Sequence, residues 1–148
     1  MTESERKRKT LLGNAGEKIV TNFFSKKGFN VEISIDPYDN QKDMKVNGKT
    51  VEVKTQVPYV LKNAFTISDN HQFEKCKNAD ALVFVQAPCS KSDKAGIFQI
   101  HKGFEYSKYT TKKGDKMILV PMKQDAVTQL ESIEGEDKQI LRKYATSF

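Results

Sequence analysis

Asn47-Gly48 stands between two runs of alternating apolar and polar residues, Lys42 to Val46 and Lys49 to Gln56. Asn-Gly in that setting is the strongest short signal for a two-residue β-hairpin, because both central residues of a type I′ turn need positive φ. Such a turn sets the register. Val46 opposes Lys49, Lys45 opposes Thr50, Met44 opposes Val51, and counting one step further sets Asp43 against Glu52. Directly opposed side chains share a face with Cβ atoms roughly 5 Å apart. Lys54, two residues beyond Glu52, joins that face, while Met44, Val51 and Val53 point the other way, toward a core.

Two opposed carboxylates repel, so something must offset the cost: a neighbouring cation, a raised pKa or a bound metal. Two readings follow. Lys54 neutralises Glu52 and the cluster is a polar sheet face, or the carboxylates hold a divalent cation. In the second case hard oxygen donors with phosphate and water suit magnesium, and Lys54 polarises a water or stabilises charge developing on a phosphate.

The hairpin sits inside an α/β pattern. Leu12, Ala15, Ile19, Val20, Phe23 and Phe24 recur at helical spacing, with Gly28 as a stop. Phe29 to Ile35 alternates like a half-buried strand, and Asp36 to Gln41 reads as a loop. After the hairpin come a loop from Pro58 to Asn70, a helix near Asp69 to Asn78, a buried strand at Ala81 to Gln86 and another at Gly96 to His101. A polar stretch precedes a strand at Met117 to Val120, and helical patterns follow Lys123. The expected fold is one α/β domain over residues 11–148, a mixed sheet flanked by helices, with an additional strand and helices toward the C-terminal end. Residues 1–10, carrying Arg6-Lys7-Arg8-Lys9, read as a flexible basic arm, either simply solvated or gripping phosphates.

Charge and composition narrow the function classes. In 148 residues, 25 Lys and Arg against 19 Asp and Glu leave +6, a balance that suits a polyanionic partner. No apolar stretch reaches the length of a membrane span or the core of a signal peptide. Cys76 and Cys89 form no metal-ligand pair and read as reduced thiols of a cytoplasmic protein. There is no Walker-type glycine loop, so no nucleotide cofactor is expected, and no nucleophile elbow.

Asp43, followed after eight residues by Glu52-Val53-Lys54, resembles the bipartite signature of the PD-(D/E)xK nuclease superfamily. Gly13-Asn14-Ala15-Gly16-Glu17 opening a helix, then Gly28-Phe29 and a strand, is similar to archaeal-type Holliday-junction resolvases and related small endonucleases. The resemblance spans about residues 11–101. Lys42 stands where the signature's proline would be, and the spacing between the acids is short. It implies an α-β-β-β-α-β core and Mg²⁺-dependent hydrolysis of DNA, with Mn²⁺ as a substitute. Position by position, it makes Asp43 and Glu52 metal ligands, Lys54 the catalytic lysine, Glu17 the supplementary helix acid and Gln56 a neighbouring group on the active face. It further implies branched DNA as substrate, and a homodimer is expected because a symmetric pair of subunits would present two cleavage sites to a two-fold junction. The alternatives are a restriction-like or nonspecific duplex nuclease, and a non-catalytic nucleic-acid-binding protein.

Weaker signals remain. By helical angle Glu17 lies on the flank of the apolar stripe, from which it either reaches the sheet rim or points to water. Lys108, Lys112 and Lys113, among Phe104, Tyr106 and Tyr109, form either a phosphate- and base-contacting surface or a solvated loop with satellite aromatics, and Arg6 and Arg8 are further DNA-binding candidates. His71 and His101 read as surface or core-edge histidines. Five acids between Asp125 and Asp137 would repel DNA and belong away from the cleft, at a subunit contact.

Overall fold

A computed structural model describes residues 2–35, 42–59, 63–123 and 125–145; the side chains of Ile35, Lys42 and Asp43 lie outside that description, as does the loop expected at Asp36 to Gln41. In chain order the elements are α1 (Glu3–Lys26), β1 (Val31–Ile35), β2 (Lys42–Val46), β3 (Lys49–Gln56), β4 (Ala64–Ser68), α2 (His71–Asn78), β5 (Ala81–Gln86), β6 (Gly96–Ile100), β7 (Ser107–Thr110), β8 (Lys116–Pro121), β9 (Val127–Ser132) and α3 (Gly135–Tyr144).

Six strands form a mixed sheet in the order β1-β2-β3-β5-β6-β9. Every neighbouring pair is antiparallel except β3 and β5, whose parallel pairing is reached through a crossover carrying β4 and α2. Strand β5 is buried along nearly its whole length, which accounts for its unbroken apolar run. On one face α1 lays Leu12, Ile19, Val20 and Phe23 against Met44, Val46, Val51, Val83 and Val85, with Leu141 of α3 in the same cluster. On the other face α2 and a second, three-stranded sheet (β4-β8-β7) bury Phe73, Cys76, Phe65, Ile67, Ile118 and Val120 against Leu82 and Phe84. Phe65 and Phe84 stack with centroids 4.3 Å apart, which pins one sheet to the other.

The α/β class and mixed sheet are as the pattern indicates, and four local expectations are corrected. The first ten residues are not a separate arm, because α1 starts at Glu3. Thr2 caps it, its Oγ1 accepting from the Glu5 N–H at 3.1 Å, so the Thr2-x-x-Glu5 spacing is a helix start and the basic run Arg6 to Lys9 lies on the helix. The Pro58 to Asn70 loop contains β4, so a fourth strand precedes α2. The polar stretch before Met117 contains β7, an exposed edge strand with little apolar alternation. After Lys123 the chain forms β9 before any helix, pairing antiparallel with β6. Strands of four to six residues offer few periods to read, and β7, exposed at three of its four positions, has no buried face to alternate with.

Candidate active site

The Asn47-Gly48 turn has φ of 51° and 81°, as a type I′ turn requires. Asn47 is tied to the preceding strand's lead-in: its N–H donates to Asn30 O at 2.8 Å, and its Oδ1 accepts from Asn30 N–H at 2.9 Å. The ladder pairs Val46 with Lys49, Lys45 with Thr50 and Met44 with Val51, matching the register read from the turn. Among the described residues it ends there, and the expected Asp43–Glu52 step falls beyond it. On its other edge Asp43 is in register with Ser34 of β1, and its side chain is outside the described residues.

That early end leaves the β2 side of β3 unpaired by β2 beyond Val51, and a cavity of about 310 Å³ opens there. Its walls include five consecutive residues of β3, Val51 to Thr55. Successive strand residues point to opposite faces, so a cavity touching all five runs along the strand's edge. Side chains from both faces can therefore meet at it. Glu17 of α1, half-buried, lines it with Glu52 and Lys54.

Glu52 has 13% side-chain exposure and lies between two ammonium groups, Lys54 Nζ at 3.3 Å and Lys75 Nζ at 3.9 Å. A carboxylate so desolvated requires such partners. Lys54 Nζ also donates to Gln72 Oε1 at 2.5 Å. Gln72 and Lys75 come from α2, whose start is fixed by Asn70 Oδ1 accepting from Gln72 N–H at 2.8 Å. They are three residues apart and so share a helix face. Behind them Cys76 is buried, and burial pushes its thiol up to about 12 against the pull of Lys54. Gln72 and Lys75 were not candidates from sequence, although their spacing beside buried Phe73 and Cys76 places them on the flank of the helix's core-facing side.

Gln56 does share the face of Glu52 and Lys54, but its amide is engaged with β4. Its Nε2 donates to Thr66 O at 2.8 Å and its Oε1 accepts from Thr66 N–H at 2.7 Å. It acts as one more rung of sheet for β4. The structure does not bring the lysines of the β7–β8 hairpin into this cavity. Lys108 reaches Asp69 at 3.8 Å, and Lys112 and Lys113 are exposed in the hairpin turn. Arg6 is exposed on α1, whereas Arg8 is half-buried and faces a neighbouring groove. His71 is exposed, and His101 lies within bonding distance of Asp125 O and Thr128 Oγ1.

Among the described residues no three His, Cys, Asp or Glu side chains are grouped to hold a metal ion. Glu17 and Glu52 do line one cavity, and two carboxylates with water and phosphate are a donor set Mg²⁺ accepts. A scan of protein-family models, a search of curated proteins and a search of solved structures returned no match to this chain. Among the described residues no helix is long and apolar enough to cross a membrane.

Proposed function

We propose that this chain is a metal-dependent endodeoxyribonuclease with a restriction-endonuclease-like core, elaborated by β4 and the second sheet. The observation that carries this reading is the cavity at the end of the β2–β3 ladder, where Glu17, Glu52 and Lys54 meet. Glu52 and Glu17, with Asp43, are the residues that would hold Mg²⁺. When bound, the metal supplies Lewis-acid polarisation of a phosphate and a water of lowered pKa. The ammonium of Lys54 stabilises negative charge on the phosphate oxygens, and Gln72 orients it. Lys75 helps neutralise Glu52. Gln56 holds the wall formed by β4 rather than orienting substrate. A net charge of +6 favours phosphate contacts, so selectivity is for DNA shape, with branched DNA and a paired subunit as the leading specification.

One observation favours a second reading. Glu52 already has two ammonium partners, which suits a nucleic-acid-binding protein without catalysis. A cleavage panel of four-way junction, flap, linear duplex and single strand with Mg²⁺ decides between them. Nuclease function requires cleavage of at least one substrate that EDTA abolishes. Glu52→Gln and Asp43→Asn should each lower it by about 10²-fold or more with the fold intact, the size of loss seen when a group stabilising transition-state charge is removed. Full activity in EDTA or in either folded variant overturns the metal mechanism; binding with no cleavage of any substrate establishes the second reading.

A further inference from the structure

A second groove, of about 670 Å³, adjoins the first at Lys54 and Thr55, which line both. Its character differs from that of the acidic cavity. Along one side α1 contributes Arg8 and Lys9, and Lys54 stands at the junction, so three cations face the single carboxylate of Glu5. Among the described residues neither Arg8 nor Lys9 is held in an ion pair, and Arg8 is half-buried while Lys9 is exposed. Val57 of the β3 end, Met117 of β8 and Tyr144 of α3 add an apolar and aromatic lining, all half-buried, and Lys143 Nζ lies 5.5 Å from the Tyr144 ring centroid, leaving the opposite ring face for a base.

Cations beside an aromatic ring and a thioether match the two parts of a nucleotide. Phosphate is held by Lys and Arg, and a base by stacking on an aromatic face, which tolerates any base. The volume is that of a small-ligand site, and stacking on Tyr144 needs a base free of its partner strand. We infer that this groove receives one unpaired nucleotide of the DNA strand, its phosphate on Arg8 and Lys9 and its base against Tyr144 and Met117, next to the phosphate presented to Lys54. The inference rests on the nuclease reading for its choice of DNA, and it names the substrate class: strands carrying an unpaired nucleotide at the cut.

The test measures binding without metal, in EDTA, using a single-stranded DNA oligonucleotide containing one 2-aminopurine, and a blunt duplex of the same length. The single strand should bind more tightly, with the 2-aminopurine fluorescence quenched by stacking. Arg8→Ala should weaken single-strand binding and reduce the slope of log affinity against log salt by about 0.7, one phosphate contact. Tyr144→Ala should weaken it roughly tenfold and restore fluorescence, as loss of one base–aromatic stack does. Tyr144→Phe, which keeps the ring and protects against misreading a folding defect, should bind and quench as the parent does. Tighter duplex binding, unaltered binding by Arg8→Ala, or parental quenching in folded Tyr144→Ala each overturns the groove. So does a loss confined to Lys112→Ala/Lys113→Ala. The two readings fail separately. Groove effects without metal-dependent cleavage sink the nuclease and leave the groove, whereas cleavage indifferent to Arg8 and Tyr144 sinks the groove alone.

Discussion

The two faces of β3 are built from alternate residues of one eight-residue strand and are satisfied in different ways. Toward α1 it presents Val51, Val53 and Thr55, and what meets them is shape: apolar side chains and, at Thr55, the bare backbone of Gly16. Toward α2 and the second sheet it presents Glu52, Lys54 and Gln56, and each is met by a particular polar group. Lys75 and Lys54 serve Glu52, Gln72 serves Lys54, and the Thr66 backbone serves Gln56. On that same face the neighbours in register on β5 are Leu82, Phe84 and Gln86, so the change from polar site to apolar core falls mainly between adjacent strands. Apolar burial is non-directional and tolerates approximate partners. A half-buried ion cluster is not tolerant, because removing one member leaves another uncompensated. The two faces therefore differ in how far a single substitution can disturb them.

The largest effect should come from crossing that boundary. Phe84→Ala removes the ring that stacks on Phe65 and should cost about 3–5 kcal/mol of stability by denaturant titration. Lys54→Met, its neighbour in register, should cost less, about 1–2 kcal/mol, since Lys75 still partners Glu52 and the pair retains some solvent. The same variant should lose about 10²–10³-fold in single-turnover cleavage. Equal stability losses at the two positions would break the distinction between core and site.

Cys76 reports on how dry the layer behind the polar triad is. With its thiol pushed up to about 12, only the protonated form is populated near neutrality. Because the thiolate is the nucleophile, modification by iodoacetamide at pH 8 should be about 10³-fold slower than for a thiol of ordinary pKa near 8.5, with half-exposed Cys89 reacting first. Raising the pH should speed the reaction by about tenfold per unit while the fold persists. Comparable rates for the two cysteines at pH 8 in the folded protein would mean that water reaches Cys76.

Gly16 tests the opposite face. A Cβ there would overlap Oγ1 of Thr55 and sit 2.8 Å from its Cβ and Cγ2, closer than such atoms approach. In an isolated helix Gly→Ala gains about 1 kcal/mol. In this protein Gly16→Ala should instead destabilise by about 1–3 kcal/mol through overpacking. Adding Thr55→Gly should recover part of that loss, since the two sites share one contact. A stabilised Gly16→Ala would show that α1 can move off β3, and the face would then be less dependent on shape than its packing indicates.

How much of this was legible in sequence follows from the range of the forces. The Asn47-Gly48 turn is a local constraint, so it gave three rungs of the ladder and the alternation that groups Glu52 with Lys54. Where the ladder stops is set by tertiary packing, so the opening that lets Glu17 reach the same cavity could not be counted outward from the turn. Gln72 and Lys75 belong to the site only because the β4–α2 crossover folds over β3, a contact between segments some twenty residues apart. Strand β4 was hidden for a related reason: part of its edge is paired by the side chain of Gln56, which periodicity does not register. At the N-terminus the basic run Arg6 to Lys9 outweighed the Thr2–Glu5 cap, although a cap with a specific hydrogen bond is the more local signal.

The smallest effect concerns Thr55, where the two faces and the two cavities come together. Its Oγ1 is buried, and among the described residues it has no hydrogen-bond partner. A buried hydroxyl without a partner is unfavourable, and a valine has nearly the same shape without the polar atom. Thr55→Val should therefore raise stability by up to about 1 kcal/mol, because the unmet desolvation cost disappears, less the cost of setting a larger methyl where Oγ1 lies against Gly16. The expected readout is a higher denaturant midpoint with an unchanged slope, which distinguishes stability from a change in compactness. Cleavage should be affected far less than in Lys54→Met, since the α1 face contributes shape and the opposite face contributes charge. A destabilised Thr55→Val would mean that the methyl overpacks Gly16 or that the hydroxyl is bonded to a water in solution, and Thr55→Ala, which removes the hydroxyl without adding a methyl, separates the two. If cleavage fell with stability unchanged, Thr55 would belong with Glu52 and Lys54, and the division of β3 into a packing face and a chemical face would end one residue earlier.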